Sequence, residues 1–361
     1  MNKVFKQTVV AAVIILTSSV FINCNNTATI KKDEVVTLAL EDNLDHTVKE
    51  EITTRKPVVF ITGYDKGNET FYNNARAYFK EQQFEIVEDK YSLEEIITWL
   101  NKNEEENPYG EIHIVNKSNP YKGMTLETTI KGEKVTTESL RRNITKGTLP
   151  TLKECVNASS KIIFHANGLG DNTELMNTFK DAFCADELPN VIASPYFSIF
   201  DGEFTKHYLA KPHYVFYPTA NSPGKTDLSK EIAKKYPEEK DIDWYDALNN
   251  EKERFVGEAY TTQFTIPLKF ILDYHNSDEE VPSFENQEEV MDFIEQELYL
   301  EIETLEIPLE KFRWSYVVKN SKLTITGKTT GLVVLKPLIK PYGELQHISP
   351  DTNNKRLYAM N

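Results

Sequence analysis

The residues best placed to do chemistry lie together in Phe164-His165-Ala166-Asn167-Gly168-Leu169-Gly170-Asp171-Asn172. His165 offers an imidazole that takes up and returns protons near neutrality. Asn167 and Asp171 add an amide and a carboxylate. The run holds no Ser, Thr or Cys, so proton transfer and ligand positioning are within its reach, but its residue types are not those of an obvious enzyme. His207 and His213, with Asp201 and Glu203 upstream, are the next cluster. They lack the helix-face spacing of His-Glu-x-x-His and a second cluster to complete four ligands, so no metal site is expected. Gly327-Lys328-Thr329 ends like a phosphate-binding loop, but Lys322 stands where the upstream Gly is required and no helix follows, so a turn is expected and no cofactor. Paired carboxylates for glycoside hydrolysis are set by space and cannot be picked from 56 acidic residues.

These groups need elements to position them. Ile162, Ile163 and Phe164 form an apolar run too short for a helix and right for a buried strand. Gly168 and Gly170 break it. Asp171 or Asn172 then caps a helix carrying Leu175, Met176, Phe179 and Phe183 at helical spacing. Around this unit strands alternate with helices. Strands are expected at 57–62, 84–87, 111–115 and 191–193, with helices at 69–82 and from Ser92 through Leu100. That alternation predicts an α/β fold, a mainly parallel sheet flanked by helices. Ligands then sit at the carboxyl ends of the strands, where His165, Asn167 and Asp171 fall. His213 to Tyr217 reads as a further strand closing the sheet, after an aromatic, turn-rich loop at 194–202 suited to a sugar or peptide cleft.

Between the third strand and the key strand lie two extended runs, 123–130 and 133–135, joined at Lys131-Gly132, and then a helix capped by Thr136 or Thr137. A β-hairpin is the expected form. In this order of elements the chain resembles the caspase-like cysteine peptidases and the related CHAT domains, over roughly residues 55–200. In that family a catalytic His follows strand three and a catalytic Cys follows strand four. Here Lys117 stands at the first place and Asn167 at the second. Asn has no nucleophile and Lys is a poor base near neutral pH. The resemblance therefore implies a scaffold without the peptidase dyad. Lys117, Asn167, Gly168 and Asp171 become expected binding residues, because a charged donor and loop amides suit an anionic or carbonyl partner. The loop is also similar to the His-Gly-Leu-Gly-Asp segment of carboxylesterases, but the Gly-x-Ser-x-Gly elbow of that fold is absent from the chain. The competing expectation is a hydrolase with an unidentified nucleophile, with His165 its one candidate.

The first residues read as an export signal. Lys3 and Lys6 are followed by an apolar run from Val9 to Val20, too short to span a bilayer comfortably. Cys24 then stands where bacterial lipoproteins, which this leader resembles, are cleaved and acylated, although Asn23 replaces their usual small residue. An ordinary signal peptide or an uncleaved anchor is the alternative. The expectation is a signal at 1–23, a polar lipid-anchored tether at 24–54, a caspase-like domain at 55–220 and an α+β region at 221–361. The protein would then face outward in the cell envelope, attached to the membrane through lipid. Cys155 and Cys184 are expected to pair, since export permits a disulfide.

In the C-terminal region helices are expected at 241–249 and 287–300. A hairpin is expected at 312–318 and 323–326. The formal charge of −15 argues against nucleic acid as a partner, because phosphates would repel it. The partner expected is an unknown protein, peptide or glycan.

Overall fold

The computed structural model describes residues 54–65, 70–119, 121, 123–183, 188–200, 202–275, 280–302 and 305–361. The leader, Cys24, the tether as far as residue 53 and Cys184 lie outside the described residues, and so does Asp201.

In chain order the elements are β1 (Val58–Ile61), α1 (Phe71–Glu81), β2 (Glu85–Val87), α2 (Leu93–Lys102), β3 (Glu111–Val115), β4 (Ser118–Asn119), β5 (Gly123–Met124) and α3 (Thr137–Thr145). They continue with β6 (Lys161–His165), α4 (Thr173–Ala182), β7 (Asn190–Ala193), β8 (Phe197–Ile199), β9 (Tyr208–Pro218), α5 (Lys225–Lys235) and α6 (Trp244–Asn249). The last are β10 (Tyr260–Asp273), α7 (Gln287–Glu297), α8 (Tyr299–Ile302), β11 (Arg313–Lys319), β12 (Lys322–Pro337) and β13 (Ala359–Met360). The result is a mixed α/β structure with one mainly parallel and one antiparallel sheet.

The parallel sheet has the order β2-β1-β3-β6-β7, with β13 added antiparallel at the β7 edge. β3 and β6 are hydrogen-bonded neighbours in parallel register, Val115 opposite His165. Alternate residues of each strand face opposite sides. Ile112, Ile114, Ile162 and Phe164 pack with α2, α3 and α4, while Val59, Ile61 and Val115 pack under α1. Local signals set the helix starts. Ser92 and Glu95 form a reciprocal capping box on α2, Thr136 and Ser139 another on α3, and Asn172 caps α4 through the Leu175 amide.

The antiparallel sheet is built on β12. β10 pairs along one side of it, and β11 and β9 share the other, with β8 beyond β9. Two expectations are corrected here. His213 to Tyr217 lies in β9 and joins this second sheet, because its partners Val215–Leu332 and Val333–Tyr214 are β12 residues. The expected turn at Gly327 to Gly331 is uninterrupted strand. A Cβ at Gly327 would run into the Trp314 ring, so that glycine serves a close packing contact rather than a bend. β8 and β10 fall where no strand was expected.

Candidate functional site

The carboxyl ends of β1, β3 and β6 bring Asp65, Lys117 and Asn167 to one rim. Asn116, fully buried, organises it. Its Nδ2 donates to Thr62 Oγ1 at 2.7 Å, and its Oδ1 accepts from the amides of Thr125 and Leu126 at 3.0 and 3.2 Å. Thr62 in turn donates to the Val115 carbonyl at 2.6 Å. One amide side chain thus joins β1, β3 and the hairpin that follows.

Lys117 follows directly. Its backbone amide donates to the Tyr72 hydroxyl at 2.9 Å, and its Nζ lies 3.5 Å from Asp65 Oδ1 and 5.4 Å from the Tyr72 ring centre. Asp65 is itself committed to the first turn of α1, accepting from the amides of Tyr72 and Asn73. Burial raises the Tyr72 hydroxyl above its usual pKa.

Asn167 is coupled to Ser118 on the neighbouring loop. The Asn167 amide donates to Ser118 Oγ at 2.6 Å, and that hydroxyl donates to the Asn167 carbonyl at 3.0 Å. Gly168 takes a left-handed conformation, φ 70°, and its amide donates to the Tyr196 carbonyl at 3.3 Å. The Gly170 amide donates to the Ser194 carbonyl at 2.9 Å. The Gly168 amide, expected to face a ligand, is therefore bonded within the protein, as is that of Gly170. Asp171 is exposed on the same rim, where surrounding protein raises its carboxyl. The Tyr214 hydroxyl lies 4.0 Å from where a Cβ on Gly168 would stand, and the Tyr214 and Tyr121 rings meet edge-on at 5.6 Å.

His165 is not on this rim. As the last residue of β6 it faces the α1 side of the sheet and is buried. Its Nε2 lies 2.9 Å from His113 Nδ1, the rings of Phe79 and Phe200 enclose it, and the His207 ring stands 5.4 Å away. His207 Nε2 is 2.9 Å from Ser198 Oγ. A serine and a histidine within hydrogen-bond reach thus exist, but both are buried and His207 is stacked flat on Phe200 at 4.3 Å. Burial keeps all three imidazoles neutral near pH 7, with His207 lowered to about 3.

The remaining candidates separate. His213 leaves His207 behind and packs on Tyr236 and Trp244, with Glu239 at 3.3 Å. Among the described residues no group of three or more His, Cys, Asp or Glu is arranged to hold a metal ion, and no helix is long and apolar enough to cross a membrane. Cys155 is buried, which raises its thiol, and its expected partner lies outside the described residues. Sequence reasoning missed Asn116, Ser118 and the His113–His165 contact. The last was readable, since a period of two places residues 113 and 115 of β3 on the face shared by 163 and 165 of β6. Ser198 lies in β8 and His207 in the connection to β9, and their pairing left no such trace.

No protein-family model, curated protein or solved structure matches the chain.

Proposed function

We propose that the chain is an exported, lipid-anchored protein of the cell envelope whose parallel-sheet part is a caspase-like domain lacking the peptidase dyad, and that it binds a peptide or glycan partner without cutting it. One observation carries this reading. On the loops after the adjacent strands β3 and β6, Lys117 is tied to Asp65 and Asn167 to Ser118, so the two positions hold neither a thiol nor an imidazole. What the rim does offer a partner is exposed and mixed in character. Tyr64 is 62% exposed, its ring edge-on to Tyr91 at 6.5 Å, and Asp171 stands on the far side. An exposed aromatic face and a carboxylate on one rim suit sugars and peptides.

The Cys24→Ala chain, which this reading expects in the soluble fraction, is the reagent for the test. Applied to arrays of peptides and envelope glycans, it should be retained on a subset. Tyr64→Ala with Asp171→Asn should weaken that retention at least tenfold. Retention unchanged by the rim substitutions would place binding elsewhere, and retention on nothing would remove the reading.

A second reading, an extracytoplasmic hydrolase, is favoured by the Ser198–His207 pair alone. It requires the aromatic cover over both residues to open, because a nucleophile must reach its substrate.

A further inference from the structure

We propose that His113, His165 and His207 form an acid-sensitive latch that holds residues 194–200 and 202–207 against the parallel sheet, and that acidification releases them together with the Asn167–Gly168 loop they support. The latch stands whether or not the rim binds a partner.

The geometry comes first. His113 and His165 belong to the parallel sheet, and His207 arrives from the connection between β8 and β9. The three imidazoles are buried and in mutual contact, His113 to His165 at 2.9 Å and His165 to His207 at 5.4 Å between ring centres. Among the described residues, His113 Nε2 and His165 Nδ1 have no hydrogen-bond partner. Leaving such nitrogens bare in a core is costly, and apolar side chains of similar size would avoid the cost.

Every element packed on the cluster is short of negative charge. α1 contributes Tyr78 and Phe79, the residue before β2 is Phe84, β8 contributes Ser198 and the β8–β9 connection contributes Phe200. β3 contributes the one nearby carboxylate, Glu111, whose Oε2 is 3.4 Å from His113 Nε2 and favours the protonated form of that imidazole against the larger effect of burial. Lys161 of β6 shares that carboxylate at 3.4 Å. The outer pair Lys206–Glu81 is exposed and mutually satisfied. Glu111 thus supports a single imidazolium at most, and a second proton meets like charge in a water-poor core.

The sign follows from linkage. The imidazoles are neutral in the closed form but take up protons with a pKa near 6.5 once exposed. The open form therefore binds more protons below that pH, and closure weakens as pH falls through it. Each imidazole that stays neutral when closed raises the open-to-closed ratio about tenfold per pH unit. For His207 the window runs down to about pH 3.

Release reaches the rim through backbone bonds. The segment holds the loop by Gly168 N to Tyr196 O, Gly170 N to Ser194 O and Ser198 N to Ala166 O. It also forms a bridge between Asn167 and Phe197.

Hydrogen exchange of the whole protein, followed by mass spectrometry at pH 7.5 and 5.0 and corrected for intrinsic rates, tests this. Residues 194–200, 202–207 and 166–170 should gain exchange at pH 5.0 at least tenfold more than α2. His207→Phe should remove about a tenfold-per-unit share of that pH dependence. Exchange that rises equally everywhere, or a pH dependence unmoved by His207→Phe, overturns the latch. Should that variant fail to fold, C2-proton exchange of each histidine in the wild type decides: midpoints near 6.5 in an intact fold contradict the proposal, and depressed midpoints support it.

Discussion

Asn116 is the residue on which the rim depends most. It is fully buried and its single amide meets Thr62, Thr125 and Leu126. Asn116→Ala strips the acceptor from the buried Leu126 amide and a donor from the buried Thr62 hydroxyl, while the Thr125 amide keeps the Lys117 carbonyl, and should cost about 2 kcal/mol in urea denaturation. Asn116→Asp keeps the acceptor for the two amides and should cost less. A loss below about 1 kcal/mol for the alanine variant would mean the rim is held by other contacts. At this scale the sequence disclosed positions but not directions. Lys117, Asn167 and Asp171 do fall at strand ends, as their place after β3 and β6 implied. His165 also ends its strand, yet it points through the sheet into the core, because the alternation that buries Phe164 on one face sends His165 to the other.

At the scale of elements, what was legible followed from local chemistry. The five parallel strands β1, β2, β3, β6 and β7 and the helices among them are marked by apolar runs, by glycines after the strands and by capping residues such as Ser92 and Asn172. The second sheet was harder, because its strands carry mixed faces. β10 alternates half-buried and exposed residues and contains Pro267, which reads as a break. Gly327 sits within β12, and its role is visible only beside Trp314 on β11. Gly327→Val should displace the buried Trp314 and cost about 2–3 kcal/mol through overpacking. A lower denaturation midpoint with red-shifted tryptophan emission would meet that expectation; unchanged stability would show that the ring can move aside.

At the scale of the whole molecule, the two sheets interlock through the chain's own order. β13, close to the C-terminus, completes the parallel sheet, while β9 crosses into the antiparallel one. Such long-range pairing leaves no local periodicity, which is why the second sheet's partners were unreadable in sequence. The same architecture buries Ser198 and His207 where the sheets meet and leaves the strand-end rim without a nucleophile–base pair among the described residues. Whether the protein binds or cuts therefore turns on whether Ser198 can be reached. Intact-mass analysis of the wild-type chain after incubation at neutral pH with a fluorophosphonate, which phosphonylates activated serines with loss of fluoride, measures this directly. The account predicts no adduct on Ser198 while the fold is intact. A stoichiometric adduct on Ser198, lost in His207→Ala, would contradict it and make the protein a hydrolase.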